Sequence, residues 1–187
     1  MMKNIYAIHG AFSSPGIFNY IQHKLGNSYT WNFLDYQKET GGLRDIIARV
    51  AQFAEPHHVV GHSMGGLMAL SLINQPWVQS VTTISTPLGG TEINIMQQYL
   101  SRSEFMTDIS SSGDFIRGLH NSKPGKPVQH LISTQGFNPW IYEPSDGVVT
   151  LRSQRAYTLG HSHDIASNHA EIMMNDLTVT LLKKFWS

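Results

Sequence analysis

Ser63 stands in Gly61-His62-Ser63-Met64-Gly65-Gly66, directly after the apolar pair Val59-Val60. A serine hydroxyl is a weak nucleophile until a base takes its proton, and most serines that open a helix are capping or packing residues. The flanking glycines add a second reading. Residues without a Cβ permit a sharp strand-to-helix turn, which lifts the hydroxyl to the helix N-terminus beside the backbone N–H of Met64 and the positive end of the helix dipole. A serine so placed can attack a carbonyl carbon. The rival reading, a phosphate-cradling loop, lacks the Lys-Ser or Lys-Thr pair that a Walker-type loop carries after its glycines.

Acyl transfer by serine also requires a base, a carboxylate that orients it, and N–H donors for the tetrahedral oxygen. The chain has ten histidines, so position must choose among them. His169 falls in a loop between the last predicted strand and the last helix. His161 and His163 stand nearby and could form a metal pair with Asp164; no further ligand cluster of matching spacing accompanies them, and a solvated loop is the simpler reading. No metal and no cofactor are expected.

Asp146, in Pro-Ser-Asp-Gly-Val-Val-Thr, taken alone reads as a turn residue, since Asp-Gly is a favoured turn pair. It follows the strand-like run Val128–Ser133, from which a loop aspartate would reach across to the histidine loop. Asp108, Asp114 and Asp164 are the reserve acids. His9-Gly10-Ala11 ends the first apolar run. It reads either as a simple turn or as a loop whose Ala11 N–H points into the same cleft as that of Met64, the two forming an oxyanion hole.

Strand-like runs that could position these groups lie at Asn4–Ile8, Tyr29–Leu34, His57–Val60, Val78–Ser85, Val128–Ser133 and Arg155–Leu159. Helical spacing lies between them. Ser14-Pro15 opens a helix with Phe18, Ile21 and Leu25 on one face, and Leu43, Ile46, Ile47 and Val50 repeat at helical intervals before Pro56. Ser63–Asn74 is apolar nearly all round, as in a helix buried against a sheet, and Met173, Leu177, Leu181 and Phe185 form an i+4 stripe. Strand and helix alternating predict an α/β fold: a mostly parallel sheet with helices on both faces and function at the carboxyl ends of the strands. Residues 87–127 break the rhythm. Three short amphipathic groups there (Ile93, Met96, Leu100; Phe105, Met106, Ile109; Phe115, Ile116, Leu119) read either as a crossover helix with a long loop or as a small helical cap over a cleft.

The bulk composition narrows the function classes. The 187 residues, 41% hydrophobic and 14% charged, suit one domain over 1–187 with 87–127 as a candidate cap insertion. Thirteen basic and thirteen acidic residues cancel, leaving no basic field for a nucleic-acid backbone. No apolar stretch approaches the ~20 residues that cross a bilayer. The absence of cysteine removes disulfides and thiolate catalysis. Lys3–His9 already reads as a strand and leaves no room for a cleavable leader, so a cytoplasmic location is expected.

Together these motifs resemble the α/β-hydrolase superfamily, in particular bacterial triacylglycerol lipases and compact esterases. Gly-His-Ser-Met-Gly-Gly resembles the lipase elbow, Ser-Asp-Gly-Val-Val the acid loop, Ser-Asn-His-Ala-Glu-Ile the histidine loop, and Ser-Thr-Pro-Leu-Gly-Gly-Thr at 85–91 the segment after the family's sixth strand. The order serine, aspartate, histidine is also the family's. The resemblance implies a minimal fold of about six strands, with Ser63 as nucleophile, His169 as base and acid, Asp146 as the orienting carboxylate, and the Ala11 and Met64 amides as oxyanion donors. Glu171 stands near where some lipases carry a calcium ligand, but no second acid is identified. It further implies an ester hydrolase acting on small to medium acyl esters or lipids, with a thioesterase or acyltransferase, or a non-catalytic binding protein of the same fold, as the alternatives. Phe12, Met64, Leu88, Met96 and Phe105 are the expected lining of the acyl pocket.

Overall fold

Along β1 (Lys3–Ile8) the side chains of Tyr6 and Ile8 enter one hydrophobic cluster and those of Ile5 and Ala7 enter another. That period-two alternation marks a strand covered on both faces. The computed structural model describes residues 2–50, 52–91 and 103–187. In it β1 joins β2 (Tyr29–Leu34), β3 (His57–His62), β4 (Val78–Ile84), β5 (Val128–Ser133) and β6 (His161–Ile165) in one sheet of order β2-β1-β3-β4-β5-β6. Every pairing is parallel. The chain first builds outward from β1 to β2, then crosses back to β3 on the other side. The reversal leaves a crevice at the carboxyl ends of β1 and β3, where parallel sheets of this kind place their ligands.

The helices divide between the two faces. Ile21 and Leu25 of α1 (Asn19–Leu25) and Val179 and Leu182 of α7 (Asp176–Phe185) pack on the face of Ile5, Ala7 and Val60. The opposite face takes α2 (Leu43–Ala48), α3 (Met64–Ser71), α4 (Ser103–Ile109) and α5 (Asp114–Asn121), through residues such as Ile46, Leu67, Met68, Ile109 and Phe115. Helix α3 is buried from Met64 through Leu70, as its all-round apolar sequence requires. It ends at Ser71, short of the expected Asn74. Of the three amphipathic groups in 87–127, the second and third form α4 and α5 and bury Phe105, Ile109, Phe115, Ile116 and Leu119 in the cluster that also holds α3. The group Ile93, Met96, Leu100 lies outside the described residues.

The last strand and one residue of the C-terminal stripe depart from expectation. The last strand is not Arg155–Leu159, which follows the short helix α6 (Leu151–Gln154), but His161–Ile165. Beta6 is an edge strand with only Ile165 buried, so it has no apolar alternation for a sequence reading to find. The C-terminal helix buries Thr178, Val179 and Leu182; of the expected i+4 stripe, Met173 is buried and Leu181 and Phe185 pack partly buried against the same cluster, while Leu177 is exposed. The helix's neighbour Trp186, fully buried against Tyr29 and Trp31, draws the helix round to that side. Among the described residues no helix is long and apolar enough to cross a membrane.

Candidate active site

Ser63 joins β3 to α3 with φ 53° and ψ −126°, a conformation that L-residues rarely adopt and that is held only where the surroundings over-determine it. Its N–H donates to the Ile84 carbonyl at 2.8 Å, and its carbonyl accepts from Gly66 at 2.9 Å. The flanking glycines permit this approach of strand to helix. A Cβ on Gly61 would stand 2.2 Å from the Gly65 oxygen, and one on Gly65 would stand 2.3 Å from the carbonyl oxygens of Ile8 and His9. Met64 is the first residue of α3, so its N–H has no partner within the helix.

The loop after β5 brings Asp146 to the histidine loop. His169 Nδ1 lies 2.7 Å from Asp146 Oδ2, and the His169 peptide N–H donates to the Asp146 carbonyl at 3.0 Å. With Nδ1 donating, Nε2 is left as the ring's acceptor. The Asp146 side chain is wholly buried, whereas that of His169 keeps 14% of its surface open. Oδ2 also accepts from Ser133 Oγ at 2.5 Å and Gln154 Nε2 at 3.1 Å, and Oδ1 accepts the N–H groups of Val148 and Val149 at 2.9 and 2.7 Å. Burial alone would raise this carboxyl's pKa, but the donors from His169, Ser133 and Val149 outweigh it and hold the group below the ordinary aspartate value. The acid is therefore an anion fixed by five hydrogen bonds. Gly136 makes room for its loop: a Cβ there would fall 1.9 Å from the Asp146 carbonyl carbon.

No family model and no curated protein sequence matches the chain. Its likeness is one of shape. It superposes on a lipase of Bacillus licheniformis in its mature form with a TM-score of 0.70 at 16% identity, covering 100% of this chain and 92% of that one. A hydrolase from Oleispira antarctica gives 0.69 at 15% identity, with 100% and 91% covered. A lipase-esterase related protein from Clostridium acetobutylicum gives 0.68 at 14%, with 98% and 94% covered. The chain has the α/β-hydrolase fold.

Within this α/β-hydrolase sheet the loop after β1 sits beside the elbow: a Cβ on Gly10 would lie 3.0 Å from Ser63 Cβ. Tyr36, stacked on the His9 ring at 4.4 Å, donates its hydroxyl to the His9 carbonyl at 2.9 Å and anchors that loop. Ala11 is half-buried, and Phe12 projects from the loop with φ 55° and 66% exposure. Leu88 and Phe105, expected to line the acyl pocket, are core residues, with Phe105 set edge-on to Tyr36; Met96 lies outside the described residues. A cavity of about 440 Å³ instead opens beside the acid loop, between Gly89, Gly90, Trp140, Tyr142, Val148 and Arg152.

The reserve acids are engaged elsewhere. Asp108 accepts the Leu43 N–H at the start of α2 (2.6 Å), Asp114 pairs with Arg117, and Asp164 pairs with Arg155 at 2.6 Å. His161 and His163 lie on β6, and among the described residues no cluster of three or more His, Asp or Glu could hold a metal. Ser63 Oγ makes no hydrogen bond to a described residue. His62, next to Ser63 in the chain, has its Nε2 2.9 Å from the His169 carbonyl and its ring 4.8 Å from the His169 ring. Sequence reasoning missed Ser133, Gln154, Gly136 and His62 as members of this site. Only His62 carried a signal, its place next to Ser63.

Proposed function

We propose that the protein is a serine hydrolase of carboxylic esters. The observation that carries this reading is the 2.7 Å contact of a buried, multiply hydrogen-bonded Asp146 carboxylate with His169, on the same sheet edge as a serine in an elbow at φ 53°. A strained serine and a fixed imidazole–carboxylate pair have a common chemical use in acyl transfer.

In this reading Ser63 Oγ bonds to the ester carbonyl carbon while its proton passes to His169 Nε2. The N–H groups of Met64 and Ala11 receive the developing oxyanion, and Asp146 stabilises the imidazolium without taking its proton. Collapse of the tetrahedral species breaks the bond to the alcohol, which leaves with the proton from His169. Water, deprotonated by the same imidazole, then releases the acid from Ser63. The cavity beside the acid loop, which includes Val148 and Val149, is the proposed seat of the substrate's apolar group.

Turnover of p-nitrophenyl acetate, butyrate and octanoate by wild type and Ser63→Ala tests the assignment. Hydrolysis by wild type and background rates in the variant are expected. Equal rates in the two proteins would overturn it.

A further inference from the structure

His62 keeps only 5% exposure, and its Nε2 lies 2.9 Å from the carbonyl oxygen of His169. A carbonyl accepts only, so Nε2 carries the proton and donates. The second nitrogen, Nδ1, is buried and has no hydrogen-bond partner among the described residues. It faces the loop after β1, where a Cβ on Gly10 would stand 3.2 Å away. A buried acceptor left unsatisfied is unfavourable, and an apolar side chain would fill the same space without that penalty. Packing therefore does not account for a histidine here, whereas the Nε2 contact does.

We infer that His62 is a positioning residue: its Nε2–H holds the peptide carbonyl of His169 and so fixes the base relative to the neighbouring Ser63. The inference rests on the reading of Ser63 and His169 as nucleophile and base. The His169 peptide is thereby gripped on both sides, its N–H by the Asp146 carbonyl at 3.0 Å and its oxygen by His62 at 2.9 Å. Burial keeps the His62 ring neutral, with a pKa lowered to about 3. A neutral ring matters here, because a cation beside His169 would oppose the imidazolium that forms in each acyl-transfer step.

The geometry separates a donor at Nε2 from mere bulk. Glutamine can place its amide N–H where Nε2 stands, asparagine places its amide nearer the Nδ1 position and falls short of the carbonyl, and leucine keeps volume without a donor. The test measures kcat and KM for p-nitrophenyl butyrate together with the downfield NMR proton between His169 and Asp146, which Asp146→Asn identifies by removing it. His62→Leu and His62→Asn are expected to lower kcat by about 10- to 100-fold, as for a base displaced by a fraction of an ångström. KM should hold within about twofold, and the downfield proton should broaden. His62→Gln should restore both kcat and the signal.

Wild-type kcat and an unchanged signal in the leucine variant would overturn the inference, as would a glutamine variant no better than asparagine. If leucine prevents folding, the glutamine–asparagine pair carries the same comparison. Failure of the catalytic reading is seen separately, as wild type and Ser63→Ala being equally inert. The NMR comparison among the His62 variants then still decides whether the carbonyl contact positions the His169 ring.

Discussion

His169 is tied to Asp146 twice, ring nitrogen to carboxylate at 2.7 Å and peptide N–H to carbonyl at 3.0 Å. The side-chain bond sets the tautomer and the backbone bond sets the distance between the two loops. Asp146→Asn would leave the backbone bond in place while removing the anion. The imidazole could then carry its proton on Nε2, where it cannot accept one from Ser63. The expected loss in kcat is on the order of 10³ to 10⁴, with a lowered melting temperature as the carboxylate's buried donors lose their acceptor. Steady-state kinetics on a nitrophenyl ester checks it, and an unaltered rate would hand the orienting role to another carboxylate.

Two glycines should respond in opposite directions to alanine. At Gly136 the new Cβ would fall 1.9 Å from the Asp146 carbonyl carbon and 2.1 Å from its oxygen, so the acid loop must move. Gly136→Ala is expected to lower the melting temperature and to reduce ester turnover by about 100-fold or more, since a displacement of about 1 Å suffices for that. Gly118 lies on the exposed side of α5, with no atom of the described residues within 4 Å of a Cβ. Gly118→Ala should raise stability by about 0.5–1 kcal/mol through helix propensity and leave activity alone. Thermal melts of both variants beside wild type test the pair.

Acid should unfold the protein through its buried neutral histidines. In the folded chain burial lowers His58 to about 4 and His62 to about 3. The unfolded value is about 6.5, so between there and the folded values the unfolded chain binds more protons and stability falls as pH falls. For His62 the slope is about 1.4 kcal/mol per pH unit, and His58 acts in the same direction. Asp146, held below the usual carboxylate value, contributes stability that is lost only as pH drops through its own lowered pKa. Urea midpoints at pH 7 and pH 4.5 should therefore fall less in His62→Gln than in wild type. Parallel falls would mean that His62 protonates as freely folded as unfolded.

The sheet was legible where strands carry their own apolar signal. Tyr29–Leu34 and Val128–Ser133 coincide with β2 and β5, the first rich in aromatic residues and the second carrying Val128, Leu131 and Ile132. Beta6 was not, because His-Ser-His-Asp-Ile forms an edge whose polar side chains face water while its backbone pairs with β5. Ser63 could be read locally, since the glycines that permit its turn stand within three residues of it. The meeting of Asp146 and His169 followed from the order of motifs and not from either segment alone. Ser133 and Gln154 were illegible for a further reason: each reaches the carboxylate through tertiary folding, from a strand end and from the short helix α6. The substrate side was the least legible part. Leu88 and Phe105, expected by position to line the pocket, are buried in the hydrophobic cluster that also holds α3.

The central claim is that Ser63 is a nucleophile activated by His169, and covalent labelling addresses it most directly. Wild type, Ser63→Ala and His169→Ala are treated with a fluorophosphonate and mapped by peptide mass spectrometry. The account predicts one adduct, on Ser63, in wild type, none in Ser63→Ala, and strongly slowed labelling in His169→Ala. An unlabelled wild type, or an adduct that persists in Ser63→Ala, would contradict it.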